Sequence, residues 1–250
     1  MKQTLGYVIL GLVAYLLFLL WQFPAATAMG YLAPRLPGLT VGDIEGQLLA
    51  GQAHRVGYQG VELEQVTWRW RPLALLAGQA GVRLAFREPR VEINLDAGVN
   101  LDGRLRMGDL QGHLPLSRAM ELLNLRGSPL EGRLELELER LELDPTGRPQ
   151  AAQGTVRLVQ THTNLGNPLE LGAFRVELTS DETGIQGQVG DEGGPVAVAG
   201  TFELAPDGRY RFQGSVGTRD QADPRLEQML GLLGRPGPDG RWRVDFTGSL

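Results

Sequence analysis

The chain has three histidines, His54, His113 and His162. None has a second donor at helical or hairpin spacing, and a metal centre needs donors that converge. There are no cysteines, which removes disulfides, thiol nucleophiles and thiolate metal sites together. No G-x-S-x-G elbow, Walker loop, H-E-x-x-H or dinucleotide fingerprint occurs. Glu135, Glu137 and Glu139 alternate with leucines beside Arg133, which reads as the charged outer face of a strand. Asp181-Glu182 and Asp191-Glu192 sit next to glycines, as loop residues do, and match no calcium-loop pattern. Thr161-His162-Thr163-Asn164 reads as a solvated loop. These residues give no constellation for general acid–base or nucleophilic work. The expectation is a protein that is not an enzyme and holds no cofactor or metal.

The sharpest local feature is Trp68-Arg69-Trp70-Arg71-Pro72. At period two, Trp68 and Trp70 share one face of a strand. They read as a core anchor under a turn, or as a contact with lipid headgroups or a partner.

The elements that carry these residues are mostly strands. From Val41 onward apolar residues recur at period two. Examples are Val66-Trp68-Trp70, Val82-Leu84-Phe86, Val91-Ile93-Leu95, Leu134-Leu136-Leu138, Phe174-Val176-Leu178 and Trp242-Val244-Phe246. One-sided alternation is the habit of antiparallel sheets with one wet face. Helices do not alternate with the strands, which argues against a parallel layout. The phase slips at Glu139-Arg140, which predicts a bulge or a switch of face. Two short helices are predicted. Ser117 would cap Arg118–Leu125. Asp223 would cap a helix with Pro224 at its first position and Leu226, Met229, Leu230 and Leu233 as an apolar stripe, stopped by Gly234. Pro206-Asp207-Gly208-Arg209 recurs as Pro238-Asp239-Gly240-Arg241, which marks either duplicated sheet units or a favoured turn used twice.

The first residues differ from all this. Leu5 to Phe23 carries no charge. Nineteen helical residues span roughly 28 Å, near the ~30 Å of a bilayer core. The apolar contributors are Leu5, Val8, Ile9 and Leu10, then Leu16, Leu17, Phe18, Leu19 and Leu20. Tyr7 at one end and Trp21 with Phe23 at the other suit the two interfaces. Lys2 and the amino terminus place the leading end in the cytoplasm. A cleaved secretory signal is the rival, because Ala26-Thr27-Ala28 resembles a cleavage site. The apolar core is longer than the roughly 7–15 residues of such a signal. Under either reading the rest of the chain is exported. Pro24 to Gly38, with three prolines, reads as a linker with one helical turn over residues 29–32.

Composition bounds the remainder. There are 250 residues, 35 of them glycine, with a net charge of −5 from interspersed signs. Glycine at this level without a three-residue period means many tight turns. Nucleic-acid binding has no basic footprint. An exported domain without disulfides is held by its core alone.

Several segments in order resemble the type II secretion system protein N family, also called general secretion pathway protein N. They are Pro24-Ala25, Leu36-Pro37-Gly38-Leu39-Thr40-Val41, Ile44 through Ala53, and Trp68-Arg69-Trp70-Arg71-Pro72 with Leu75-Leu76-Ala77-Gly78. Leu110 through Leu116, the stretch from Gly132, Gly193-Gly194-Pro195, Asp207-Gly208-Arg209-Tyr210 and Asp239 to Leu250 continue the series. The family pattern has Thr and Trp where this chain has Gln47 and Leu49, with Gly46 and Gly51 keeping the turn spacing. The role of that tryptophan is therefore not carried over.

The resemblance implies a non-catalytic, single-pass inner-membrane component of a Gram-negative cell. Its apolar helix is retained, and its β-rich domain lies in the periplasm. It implies support of folded-protein transport to the exterior, with the inner-membrane protein C and the outer-membrane secretin as partners. A more distant likeness to AsmA-like proteins, whose long sheets hold lipid in a groove, implies an alternative as a lipid- or apolar-ligand-binding module. The expected organisation is a cytoplasmic end and anchor over 1–23, a linker over 24–40 and a periplasmic domain over 41–250. The expected fold is all-β with one N-terminal transmembrane helix. Its elongated, twisted antiparallel sheet forms a sandwich or an AsmA-like open trough, with one or two short helices.

Overall fold

Alternating residues on a pleated strand bury one face only, so a chain of such strands must lie in a sheet. The computed structural model describes residues 7, 11, 15, 18, 19, 22–32, 39–58, 61–72, 80–99, 103–122, 129–163, 167–219 and 222–249. It contains thirteen strands. The first seven are β1 (Leu39–Gln47), β2 (Ala50–Tyr58), β3 (Val61–Arg71), β4 (Ala80–Glu88), β5 (Val91–Val99), β6 (Leu105–Pro115) and β7 (Leu130–Leu143). The remaining six are β8 (Pro149–Thr163), β9 (Leu169–Asp181), β10 (Gly184–Asp191), β11 (Val196–Leu204), β12 (Arg209–Thr218) and β13 (Trp242–Ser249).

Each strand pairs antiparallel with the next in sequence, so the order across the sheet is the order along the chain. β1 and β13 do not pair with each other. The result is one open sheet, neither a sandwich nor a closed barrel. Short turns explain the meander: Leu48-Leu49, Glu182-Thr183 and Pro206-Asp207 leave no length for a crossover. The phase slip at Glu139-Arg140 is a bulge, where pairing with β8 shifts between Leu138 and Arg140.

Because the turns alternate, the sheet has two distinct ends. The β1–β2, β7–β8, β9–β10 and β11–β12 turns lie at one end. The β4–β5 and β10–β11 turns lie at the other, with two helices, α2 (Leu116–Leu122) and α3 (Pro224–Leu230). α2 buries Leu116 and Ala119, and Ala119 packs with Val91 and Leu114. It begins directly after Pro115, so Ser117 is not its cap as the sequence suggests. α3 starts as predicted. Asp223 Oδ1 accepts from Arg225 N at 2.9 Å, and Pro224 is the first helical residue. Leu226 and Leu230 are buried, and Leu226 packs with Leu171 and Val196. Leu233 departs from the predicted stripe. A 3-10 turn over Gly231–Leu233 rotates it outward into solvent.

The stretch read as a linker is also more ordered than its prolines suggest. It forms α1 (Ala25–Leu32), started by Pro24 and rich in alanine, a strong helix former. Pro24 bridges to Gln47, and Leu48 N donates to Phe23 O at 2.9 Å. α1 therefore docks at the end of the sheet opposite α2 and α3.

Of the proposed membrane segment, Tyr7, Phe18 and Leu19 are helical and exposed, and Phe23 is exposed. Leu5, Val8, Ile9, Leu10, Leu16, Leu17, Leu20 and Trp21 lie outside the described residues. Among the described residues no helix is long and apolar enough to cross a membrane.

Candidate functional site

Register turns the alternation into two surfaces. One row runs across all thirteen strands through Ile44, Ala53, Val66, Phe86, Ile93, Gly112, Leu136, Val156, Val176, Val189, Gly200, Gly214 and Val244. Every member is apolar or glycine. The adjacent row on the opposite face runs through Glu45, Gln52, Thr67, Ala85, Asn94, Gln111, Glu137, Thr155, Glu177, Gln188, Thr201, Gln213 and Asp245. All but Ala85 are polar. The sheet thus has one continuous apolar face and one continuous polar face.

The apolar face is not sealed. In its central row only Ala53 is buried, and the other twelve residues remain half-buried. Leu95, Leu110 and Leu138 form a buried knot beside that row. At one end of the strands α2 and α3 lie over the face.

Trp68 and Trp70 stand on this face. Trp68 lies opposite Gly51 and Leu84, and Trp70 opposite Val82. Trp68 Nε1 donates to Leu48 O at 3.0 Å, and Trp70 N donates to Leu49 O at 2.7 Å. Both tryptophans are half-buried. They tie the β1–β2 turn to β3. Gly46 pairs with Gly51 and Gln47 with Ala50, which closes the hairpin through Leu48-Leu49.

The polar face holds three carboxylates, each between two arginines. Asp96 accepts from Arg83 at 2.7 and 3.0 Å and also from Arg71. Glu142 accepts from Arg106 Nε at 2.6 Å and Arg140 Nε at 3.0 Å. Glu192 accepts from Arg157 at 2.9 and 2.7 Å and from Arg175 at 2.8 and 2.6 Å. The Arg83 hydrogen bonds hold the Asp96 carboxyl below the usual range despite its burial. Burial pushes Glu142 up, but Arg106 and Arg140 outweigh it and the net shift is downward. The Arg157 and Arg175 bonds lower Glu192. A carboxylate held ionised by saturating donors is a poor general acid or base near neutral pH. These clamps fasten neighbouring strands.

Asp191 and Glu192 therefore are not free loop residues. Asp191 ends β10 and accepts from Val198 N at 3.0 Å and Arg219 Nη2 at 2.5 Å. Of Thr161-His162-Thr163-Asn164, read from the sequence as a loop, Asn164 lies outside the described residues and the first three are not loop. All three lie on β8, and Thr161 and Thr163 are buried. Their hydroxyls have no hydrogen-bond partner among the described residues. His113 and His162, far apart in sequence, line one cavity of about 600 Å³ with Ser117, Glu131 and Arg133. His162 Nε2 lies 3.2 Å from Glu131 Oε2. His54 stands apart on β2. Among the described residues no group of three or more His, Asp or Glu is placed to hold a metal ion.

Sequence comparison covers the same architecture end to end. A family model, "Type II secretion system (T2SS), protein N", matches residues 37–245. The chain is 28% identical over 264 residues to the type II secretion system protein N of Aeromonas hydrophila, covering all of both chains. It is 28% identical over 258 residues to that of Vibrio cholerae serotype O1, again covering all of both. It is 27% identical over 249 residues to that of Klebsiella pneumoniae, covering 94% of this chain and 93% of the relative. No solved structure matches. With a match that takes in every strand from β1 to β12 and the first half of β13, the chain belongs to the type II secretion system protein N family.

Proposed function

We propose that this protein is a non-catalytic, membrane-tethered component of the type II secretion system, held by Leu5–Phe23 with its amino terminus in the cytoplasm and its sheet in the periplasm. The observation that carries this reading is the full-length similarity to secretion proteins N, joined to an uncharged nineteen-residue lead segment. The docking of Phe23 and Pro24 onto the β1–β2 hairpin holds the sheet close to the end of that segment. The polar face, on which Asp96, Glu142 and Glu192 are paired with arginines, is the surface offered to periplasmic partners. The inner-membrane protein C and the outer-membrane secretin are the partners proposed. Affinity purification of the tagged full chain from its own cells in mild detergent tests this. Recovery of either secretion component supports it, and repeated recovery of none overturns it.

A second reading, that of a periplasmic module holding lipid or another apolar ligand, is favoured by one specific observation. The apolar row is unbroken over thirteen strands, and all of its residues but Ala53 stay half-buried. Exposed contiguous apolar surface marks binding sites more often than chance. Native mass spectrometry of the detergent-extracted protein decides it: reproducible co-purified lipid supports the groove, and lipid-free protein rejects it.

A further inference from the structure

The two edges of the sheet differ. β1 is protected. Its pairing with β2 is broken between Val41 and Ile44, Asp43 has φ 31°, and its last residue is bridged by Pro24. Bulges and covering segments are the usual ways of blunting an edge. β13 has none of these. It pairs with β12 over eight consecutive residues without a shift, contains no proline, and has no described neighbour on its other side.

The side chains at this edge fit a second copy of themselves. On the polar face Arg243 and Asp245 are exposed; the Arg243 side chain has no hydrogen-bond partner among the described residues, and Asp245 accepts from Gln213 Nε2 at 2.9 Å. On the apolar face Phe246 stays 50% exposed while stacked on Phe212 with ring centroids 5.2 Å apart. Leu232 and Leu233, on the 3-10 turn that follows α3, are 86% and 55% exposed. Beyond residue 23 only Val99 and Leu122 join these three among the exposed large apolar residues described.

We propose that β13 pairs antiparallel with β13 of a second copy about a two-fold axis at Val244. In such a pair, residues that turn their N–H and C=O outward must face residues that do the same. By symmetry the paired numbers then sum to an even value, so the two apolar faces fall on one side. Centring on Arg243 or Asp245 would set like charges opposite, which is destabilising. Centring on Val244 sets Arg243 against Asp245 twice and Trp242 against Phe246 twice. The contact is isologous, as two-fold interfaces are, and it joins two apolar faces into one continuous surface.

The chain's lack of cysteine gives a direct test on the full-length protein in detergent. Under oxidation Val244→Cys is expected to form a disulfide-linked dimer, and Thr247→Cys is expected not to. Arg243→Asp or Asp245→Arg alone is expected to weaken dimerisation at least about tenfold in sedimentation, and the double reversal is expected to restore it. Failure of Val244→Cys to cross-link, equal cross-linking at Thr247→Cys, or single reversals that sediment like wild type would overturn the proposal.

Discussion

Gly51 and Trp68 face each other across β2 and β3 at a distance that only glycine allows. A Cβ on Gly51 would lie 2.6 Å from Trp68 Cζ2 and 2.6 Å from Glu45 O. The indole is held there by its bond to Leu48 O. Glu45 O is backbone, so the hairpin and not just the ring would have to move. Gly51→Ala is therefore expected to destabilise by about 1–3 kcal/mol. Trp68→Phe, which keeps an aromatic ring but loses the indole N–H and its bond, should cost about 1 kcal/mol or more. Denaturant unfolding followed by tryptophan fluorescence reads both, and an unchanged midpoint for Gly51→Ala would refute the close approach.

The arginine clamps set the response to acid. Asp96, Glu142 and Glu192 have folded-state values below their ordinary ones. The unfolded chain therefore takes up protons first as pH falls, and stability drops through and below the ordinary carboxylate range near pH ~4. Between pH 6 and 8 these groups contribute no slope. Glu142→Gln should lower stability by about 1–2 kcal/mol at pH 7 and flatten the acid limb of the melting temperature. A mutant with the wild-type acid limb would remove Glu142 from this account.

Thr163 is buried on β8 and its hydroxyl has no partner among the described residues. A desolvated hydroxyl without a bond costs roughly 1–3 kcal/mol. Thr163→Val keeps the branched shape and removes the hydroxyl, so the melting temperature should rise or stay level. A loss of more than about 1 kcal/mol would mean that the hydroxyl does have a partner.

Val176 lies in the middle of the apolar row, half-buried and opposite Val156 and Val189. If the face holds lipid, Val176→Asp should abolish co-purified lipid by placing a charge in its path, while Glu177→Gln on the other face leaves it unchanged. Equal lipid in both variants would show that the ligand, if any, sits elsewhere.

Much of the sheet was legible because a pleat translates alternation directly into faces. Val66-Trp68-Trp70 and Leu134-Leu136-Leu138 announced their strands, the slip at Glu139 announced its bulge, and Asp223-Pro224 announced α3. What alternation lacks is register. Asp96 finds Arg71 25 residues earlier and Glu192 finds Arg157 35 residues earlier, so no local window contains a clamp. The same gap left sandwich and open sheet undecided until each strand was seen to pair with its neighbour. α1 was underestimated for another reason. Its flanking proline reads as a breaker, although at a helix start proline is compatible with the fold.

The central claim is that a tethered sheet supports type II secretion. Its most direct measurement is export of a folded exoprotein by cells lacking their own copy of this chain. The full chain should return the exoprotein to the medium. The same domain released into the periplasm, with residues 1–23 replaced by a cleavable export signal, should leave it trapped. Export undiminished without the chain would contradict the claim, and full restoration by the released domain would contradict the role of the tether.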